Sequence, residues 1–257
     1  MISEERRRKL LESLNKSGSL SVADASDQLN VSRMTVHRDL DRLCADGLLR
    51  KVHGGAVPVI TTGAHINLAR PFKERKPASA TAKQMIGKHL AKILDGAQNL
   101  ALDASSTVFH LAHTLRAPEG NANLFVITNG IPIFLELQRR NAGFRLAITG
   151  GEAHPRTGSL IGPLAIRSLE GIRFDFAVVS AAGLMEDDGN VYDSTPEGTA
   201  IKLAFLARAN KRILAIDKTK LNFLAPYPMG MLTDFDLLVT EDGVTETERR
   251  HHHHKVT

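Results

Sequence analysis

The sequence predicts an α/β protein: an N-terminal winged helix-turn-helix followed by a larger, mostly parallel α/β domain. Three observations predict it. Residues 30–43 combine an apolar back with a basic front at helical spacing. Beyond residue 77, short apolar runs alternate with helical stretches, as buried parallel strands and their crossover helices do. At 257 residues the chain is also far too long for a lone winged helix, so two domains are expected. The boundaries read as 1–56 for the winged helix-turn-helix, 57–76 for a linker and 77–250 for the larger domain, with 251–257 as a tail. Pro58, Gly63, Pro71 and Pro77 break any long helix across the linker.

In chain order, 6–14 gives a first helix with Leu10, Leu11 and Leu14 on its apolar side. Ser21 is placed to cap a second, in which Val22, Ala25 and Leu29 fall at helical spacing. Asn30, Val31 and Ser32 make a tight turn into a third. Ser32 suits its N-cap, because the hydroxyl accepts an orphan amide hydrogen bond of the first turn. Val36, Leu40 and Leu43 recur at i, i+4 and i+7 and share one apolar stripe. Met34, Arg38 and Asp41 lie opposite, flanked by Arg33, His37 and Arg42. A helix with a buried back and a cationic front fits the major groove of DNA. Gly47 is placed to stop it as a C-cap. Residues 48–55 then read as two short strands, a wing, around Arg50, Lys51 and His53. The alternative is a structural three-helix unit with a solvated basic face; the agreement of wing and helix favours DNA. The expected contacts are Ser32, Arg33, Thr35, His37, Arg38 and Arg42 from the helix, and Arg50, Lys51 and His53 from the wing.

Charge points the same way. Residues 1–76 hold 14 Lys plus Arg against 9 Asp plus Glu, which is the whole formal excess of +5. Phosphate neutralisation supplies most non-specific DNA affinity, so this confinement matters more than the net value. Arg70, Lys73, Arg75 and Lys76 either track the DNA backbone or are solvated linker charges. With no Trp and only two Tyr, an aromatic platform for single strands is disfavoured. No stretch approaches a transmembrane span and the N-terminus lacks the apolar core of a signal peptide. Cys44, the only cysteine, cannot form an intrachain disulfide; it reads as a small packing residue beside the apolar stripe. A reducing cytoplasm is the expected setting.

In the larger domain, strands are expected at 99–103, 124–128, 144–149, 174–179, 212–217 and 236–240, and helices at 79–94, 106–116, 132–141 and 197–209. The first three strands run straight into small or polar loops: 103–107, 128–130 and 149–152. In open α/β sheets, ligands bind outside the carboxyl ends of the strands. Ser105, Ser106 and Thr107 open a helix whose hydroxyls and amides can cradle an anion. Asp103 can accept hydrogen bonds from a polyol, and Gly150 and Gly151 allow close backbone approach. Capping and turn chemistry explains each loop alone; three on one rim point to a small polar ligand.

These residues carry a family resemblance. The stretch 32–40 and the wing 47–56 resemble the DeoR family of bacterial transcriptional regulators, as do 102–107, 127–129, 149–152, 157–163, 181–184, Lys202 and 217–220. The resemblance covers nearly the whole chain in the family's order. It implies a repressor whose C-terminal domain is similar to sugar-phosphate isomerases and senses a phosphorylated carbohydrate. The effector positions it implies are Asp103, Ser105, Ser106, Thr107, Thr128, Asn129, Gly150, Gly151, Lys202 and Lys220, with lysine as a point charge for phosphate. The chain departs from the family at Ser105, where glycine is common. It departs also at Gly198, where a glutamate often sits four residues before the lysine; here Glu197 is adjacent.

The main rival is an active sugar-phosphate isomerase or deaminase. Such chemistry needs a positioned general base. The loop similar to the relatives' acidic loop, 180–184, has no carboxylate, and Asp187 and Asp188 fall in a solvated turn. An architectural DNA protein would not need three polar loops on a sheet rim. No catalytic residue, cofactor or metal site is assigned. The histidines 251–254 are a run that binds transition metals adventitiously. The expected partners are double-stranded operator DNA, a phosphorylated carbohydrate effector and further copies of the chain as a dimer or tetramer, with no membrane.

Overall fold

The computed structural model describes residues 3–17, 19–45, 49–52, 54–58, 70–116, 124–140 and 143–248. The expected helix stop at Gly47, His53 of the wing, linker residues 59–69 and the histidine run lie outside these. Three helices, α1 (Ser3–Ser17), α2 (Val22–Leu29) and α3 (Arg33–Ala45), build the N-terminal unit with strands β1 (Leu20–Ser21), β2 (Leu49–Val52) and β3 (Gly55–Pro58). Ser21 caps α2 as expected, its hydroxyl accepting from the amides of Ala23 and Asp24. Asn30 closes that helix in the left-handed conformation, φ 50°, which its short polar side chain tolerates. The predicted stripes meet in one core: Leu10 and Leu14 of α1, Val22 and Ala25 of α2, and Val36, Leu40 and Leu43 of α3, closed by Leu49 and Ala56 of the wing. Truncating one such leucine to alanine costs about 2–5 kcal/mol.

The three strands pair in the order β1-β3-β2, all antiparallel. Gly55 permits this, because a Cβ there would lie 2.1 Å from the carbonyl oxygen of Leu20. One expectation is corrected here, and one buried charge lies outside the predicted pattern. Cys44 is exposed, not packed, because it lies one residue beyond the Val36, Leu40 and Leu43 stripe. Asp39, which the apolar pattern passes over, is buried, and the guanidinium of Arg6 grips its two carboxylate oxygens at 2.5 and 3.1 Å. The pair staples α1 to α3 by a charge-assisted, two-point bond.

The larger unit begins with a short helix, α4 (Phe72–Arg75). Phe72 packs edge-on against Phe109 at 5.4 Å, and its amide donates to the carbonyl of Arg156. Residues 70–76, expected as linker, are therefore attached to this unit. Then follow α5 (Ala80–Ile93), β4 (Asn99–Leu102), α6 (Ser106–Leu111), β5 (Phe125–Thr128), α7 (Ile131–Arg140) and β6 (Arg145–Ile148). A hairpin, β7 (Glu152–Ala153) and β8 (Leu160–Ile161), leads to α8 (Pro163–Arg167) and β9 (Phe174–Val179). Strands β10 (Gly183–Leu184) and β11 (Asn190–Asp193) precede α9 (Pro196–Leu206) and β12 (Ala209–Ala215), with β13 (Tyr227–Met231), β14 (Leu237–Thr240) and β15 (Gly243–Glu246) completing the series.

Seven strands form the main sheet in the order β15-β14-β12-β9-β4-β5-β6, parallel except for β15 at its edge. The period of two sorts side chains between its faces. Leu100 and Leu102 of β4 face α5, α6 and α7, while Ala101 between them joins Ile201 and Phe205 of α9 on the other side. The chain leaves β4 towards β5 and β6, returns to the far side of β4 as β9, then runs outward through β12 and β14. That reversal opens a crevice beyond the carboxyl ends of β4 and β9, the place where doubly wound sheets bind ligands. All six expected strands and four expected helices are present, although the helix expected over 106–116 is regular only to Leu111.

Candidate functional site

Two surfaces carry the predicted residues. On the first, Ser32 caps α3, its hydroxyl accepting from the amide of Thr35 at 3.2 Å and lying 2.9 Å from the Thr35 hydroxyl. Burial of Val36, Leu40 and Leu43 turns the opposite face outward. Arg33, Arg38 and Arg42 are exposed there, Met34 is 63% exposed, and Thr35 and His37 are half-buried on its flank. In the wing Arg50 is exposed, whereas Lys51 already pairs with Asp41 of α3 at 2.5 Å. Lys51 thus ties the wing to the helix, and its charge is shared with a carboxylate.

The second surface is the crevice at the carboxyl ends of β4 and β9. Asp103 lies at its base, fully buried. One oxygen accepts from the amide of Ser105 and the other from the amide of Ser180, each at 3.0 Å. Both loops of the crevice therefore hang on one carboxylate. The ammonium of Lys202, from α9, reaches Asp103 at 3.5 Å, Asp193 at 2.7 Å and the carbonyl of Ser180 at 2.8 Å. Burial opposes the charge of Lys202, but Asp193 and Asp103 outweigh it and hold the ammonium above its ordinary value.

Ser105 is the N-cap of α6, accepting from the amide of Val108 at 3.1 Å. Its φ of −77° is ordinary for any residue, so serine here adds a cap that the family's glycine lacks. The hydroxyl of Ser106 accepts from Lys83 at 3.1 Å and that of Thr107 from Ser180 at 3.4 Å. Thr128, buried, accepts from the amide of Gly130 at 3.0 Å. Asn129 donates its amide to the carbonyl of Leu160, leaving its buried carbonyl oxygen without a hydrogen-bond partner among the described residues.

The crevice wall is formed by Ser105, Asn129 and Lys202 together with Arg75, Ala104, Thr157, Ser159, Asp193, Ser194, Thr195, Gly198 and Ile201. Of the ten effector positions, three line this wall directly, and Asp103, Ser106, Thr107 and Thr128 brace it from beneath. Gly150 and Gly151 are elsewhere in their packing. The amide of Gly150 donates to Ser168, and a Cβ on Gly151, φ 115°, would lie 2.4 Å from the carbonyl of Ile161. Their small size serves contact with the segment from β8 to α8. Lys220 ends a 3₁₀ turn, Lys218–Lys220, with its ammonium 5.8 Å from the Phe223 ring centre. Burial lowers its pKa, partly opposed by Asp217 and reinforced by Arg70 and Arg75.

Residues not assigned to the effector site beforehand complete the wall. Thr195 caps α9 with Pro196 in its first turn. That capping pattern is visible in the sequence, whereas the return of Asp193 to Lys202 is not. Gly198 faces the crevice, and a Cβ there would lie 2.7 Å from the Thr195 hydroxyl, while neighbouring Glu197 is exposed. Arg75 comes from α4. Its Nε donates to the carbonyl of Arg70 at 3.0 Å and a terminal nitrogen reaches the carbonyl of Thr157 at 3.5 Å. Lys83, only 3% exposed, donates to the carbonyls of Arg75 and Ala78 at 2.7 and 2.6 Å as well as to Ser106. Desolvation lowers the Lys83 ammonium to about 8. Among the described residues, no group of His, Cys, Asp and Glu is arranged to hold a metal, and no helix is long and apolar enough to cross a membrane.

Comparison with known proteins meets these two surfaces separately. The model of the DeoR-like helix-turn-helix domain matches residues 6–62, and that of the DeoR C terminal sensor domain matches residues 78–242. The HTH-type transcriptional regulator GolR of Listeria innocua is 30% identical, over 94% of this chain and 92% of its own. The lactose phosphotransferase system repressor of Lactococcus lactis is also 30% identical, over 95% of this chain and 93% of its own. A ribose 5-phosphate isomerase A from Methanocaldococcus jannaschii overlaps 56% of this chain and 55% of its own, at 15% identity and a TM-score of 0.42. With both domains matched in order along almost the whole length, the chain belongs to the DeoR family of transcriptional regulators.

Proposed function

We propose that the chain represses a carbohydrate-catabolism operon and leaves its operator when a phosphorylated sugar or polyol enters the crevice beyond β4 and β9. The observation that carries this reading is the crevice itself. It lies at the reversal point of the sheet, is walled by hydroxyls and an amide, and offers the unpartnered carbonyl oxygen of Asn129 to a ligand hydroxyl. Lys202 and Lys220 supply positive charge near it, while Asp103, Ser105, Ser106, Thr107 and Thr128 hold the loops in place. The name of the Lactococcus relative, a repressor of a lactose phosphotransferase system, agrees in substrate class and in sign.

The DNA-facing half of the reading rests on Ser32, Arg33, Thr35, His37, Arg38 and Arg42, with Arg50, Lys51 and His53 from the wing. Helix-turn-helix proteins pair two such helices on half-sites about one helical turn apart, so the working form is a homo-oligomer, a dimer or tetramer. Retained isomerase or deaminase chemistry is the second reading, and the crevice speaks against it. Its carboxylates, Asp103 and Asp193, are both engaged by Lys202, and Gly198 and the loop 180–184 bring no other. A general base must be free to take a proton from the sugar carbon.

The test is thermal stability of the purified protein with ribose 5-phosphate, glucose 6-phosphate, fructose 6-phosphate and glycerol 3-phosphate, each beside its unphosphorylated parent. A ligand at about 100 times its Kd adds about 2.7 kcal/mol to stability, an easily seen shift. A rise confined to a phosphorylated compound, which also lowers affinity for promoter DNA, is the expected result. Turnover of that compound by the protein would transfer the case to the enzyme reading.

A further inference from the structure

We infer that Arg75 is the anchor for the anionic group of the effector, so that the ligand is held by the segment through which the DNA-binding unit joins the sensor. The inference rests on the effector reading above and names the residue and the coupling that the reading leaves open. Arg75 is in the wall of the crevice, yet it belongs to α4, the first element after the linker. Among the described residues it makes no ion pair; its hydrogen bonds are to the backbone carbonyls of Arg70 and Thr157, which leave part of the guanidinium fork unused. Lys202, in the same wall, is already saturated by Asp103, Asp193 and the Ser180 carbonyl. Arg75 is thus the wall cation with spare hydrogen-bonding capacity. A planar guanidinium suits the two-point recognition of a phosphate or carboxylate.

The local field favours an anion. Arg75 is within electrostatic reach of Arg70, Lys83, Lys202 and Lys220, against the carboxylates of Asp103 and Asp193. Burial lowers the pKa of Arg75, with Asp103 and Asp193 only partly restoring it, as expected of a cation awaiting a counter-ion.

The segment carrying Arg75 is stitched to the crevice on both sides. Lys83 holds the carbonyls of Arg75 and Ala78 and, with the same ammonium, the Ser106 hydroxyl. His110 of α6 binds the carbonyl of Lys76, and the Phe72 amide donates to Arg156 in the loop between β7 and β8. An anion drawn between Arg75 and the crevice loops changes the contacts of 70–79 directly. No longer chain of intermediates is required.

The experiment uses the full-length protein and whichever panel compound stabilises it, with inorganic phosphate as a second probe. Calorimetric titration of Arg75→Gln should show at least tenfold weaker binding of the phosphorylated compound and loss of competition by inorganic phosphate, with Arg75→Lys recovering part of the affinity. In the unaltered protein, amide hydrogen exchange should slow on ligand addition at residues 72–76 as well as around 105–108 and 193–198. Binding by Arg75→Gln at the original affinity overturns the inference and leaves the effector reading standing. So does ligand protection that spares 72–76, a readout that needs no variant to fold. If no phosphorylated compound binds the unaltered protein, the effector reading falls and the inference with it.

Discussion

At the scale of single residues, two buried charges decide most of the crevice. Asp103 joins two loops and faces Lys202 with no exposure to water. Replacing it by alanine frees the amides of Ser105 and Ser180 and removes one of two counter-charges from a buried ammonium, a loss of about 3 kcal/mol. Asp103→Ala is therefore expected to melt lower and to stop responding to its effector. A variant of full stability that is still released from DNA normally would remove Asp103 from the site. Lys83 makes a pH-dependent prediction. Its pKa falls from 10.5 to about 8 on folding, chiefly through desolvation. Between those values the unfolded chain binds more protons than the folded one, so this group adds stability as pH rises and adds none of that gain below about 8. Denaturant unfolding of Lys83→Met should thus show a deficit that widens from about pH 8 to about pH 10; a deficit independent of pH contradicts the assignment.

At the scale of elements, α3 illustrates how a one-dimensional pattern becomes a surface. Three apolar residues on one stripe suffice to turn Arg33, Arg38 and Arg42 outward. The stripe did not reveal that Asp39 is buried, because its partner Arg6 lies 33 residues away on another helix. Arg38→Ala should weaken binding to promoter DNA by about 1–3 kcal/mol, measured by mobility shift, while leaving the effector's stabilisation intact. Equal DNA affinity would remove α3 as the reading element. The strands expected from apolar runs were found because the central ones are buried on both faces, leaving a continuous signature, while β6 at the sheet edge keeps the apolar run 146–148 only partly buried. The hairpin of β7 and β8, the small sheet of β10, β11 and β13, and edge strand β15 were not. Such strands of two to five residues carry too few positions for alternation to register.

At the scale of the whole molecule, the prediction concerns coupling. If effector and operator each bias one equilibrium, the factor by which ligand weakens DNA binding must equal the factor by which DNA weakens ligand binding. Titrating the effector in the presence and absence of saturating promoter DNA measures both arms. Unequal factors would mean that a further linked event, such as a change in oligomeric state, accompanies release. The attachment of 70–76 to the sensor offers this coupling a short route, since one residue of that segment, Arg75, lies in the crevice wall and the segment follows the linker in the chain.

By itself the sequence determined the two-domain plan, the orientation of the third helix and the rim of polar loops, because each depends on residues near one another in the chain. Periodicity, capping and glycine placement are local physics, and local physics can be read in order. Only the tertiary structure decided which of those loops make a wall. It turned Gly150 and Gly151 towards Ile161 and Ser168, spent the carboxylate of Asp103 on two backbone amides, and brought Arg75 to Thr157 across 82 residues. Those outcomes follow from the reversal of strand order between β4 and β9, a non-local event that places the end of the linker and the ends of the strands around one crevice.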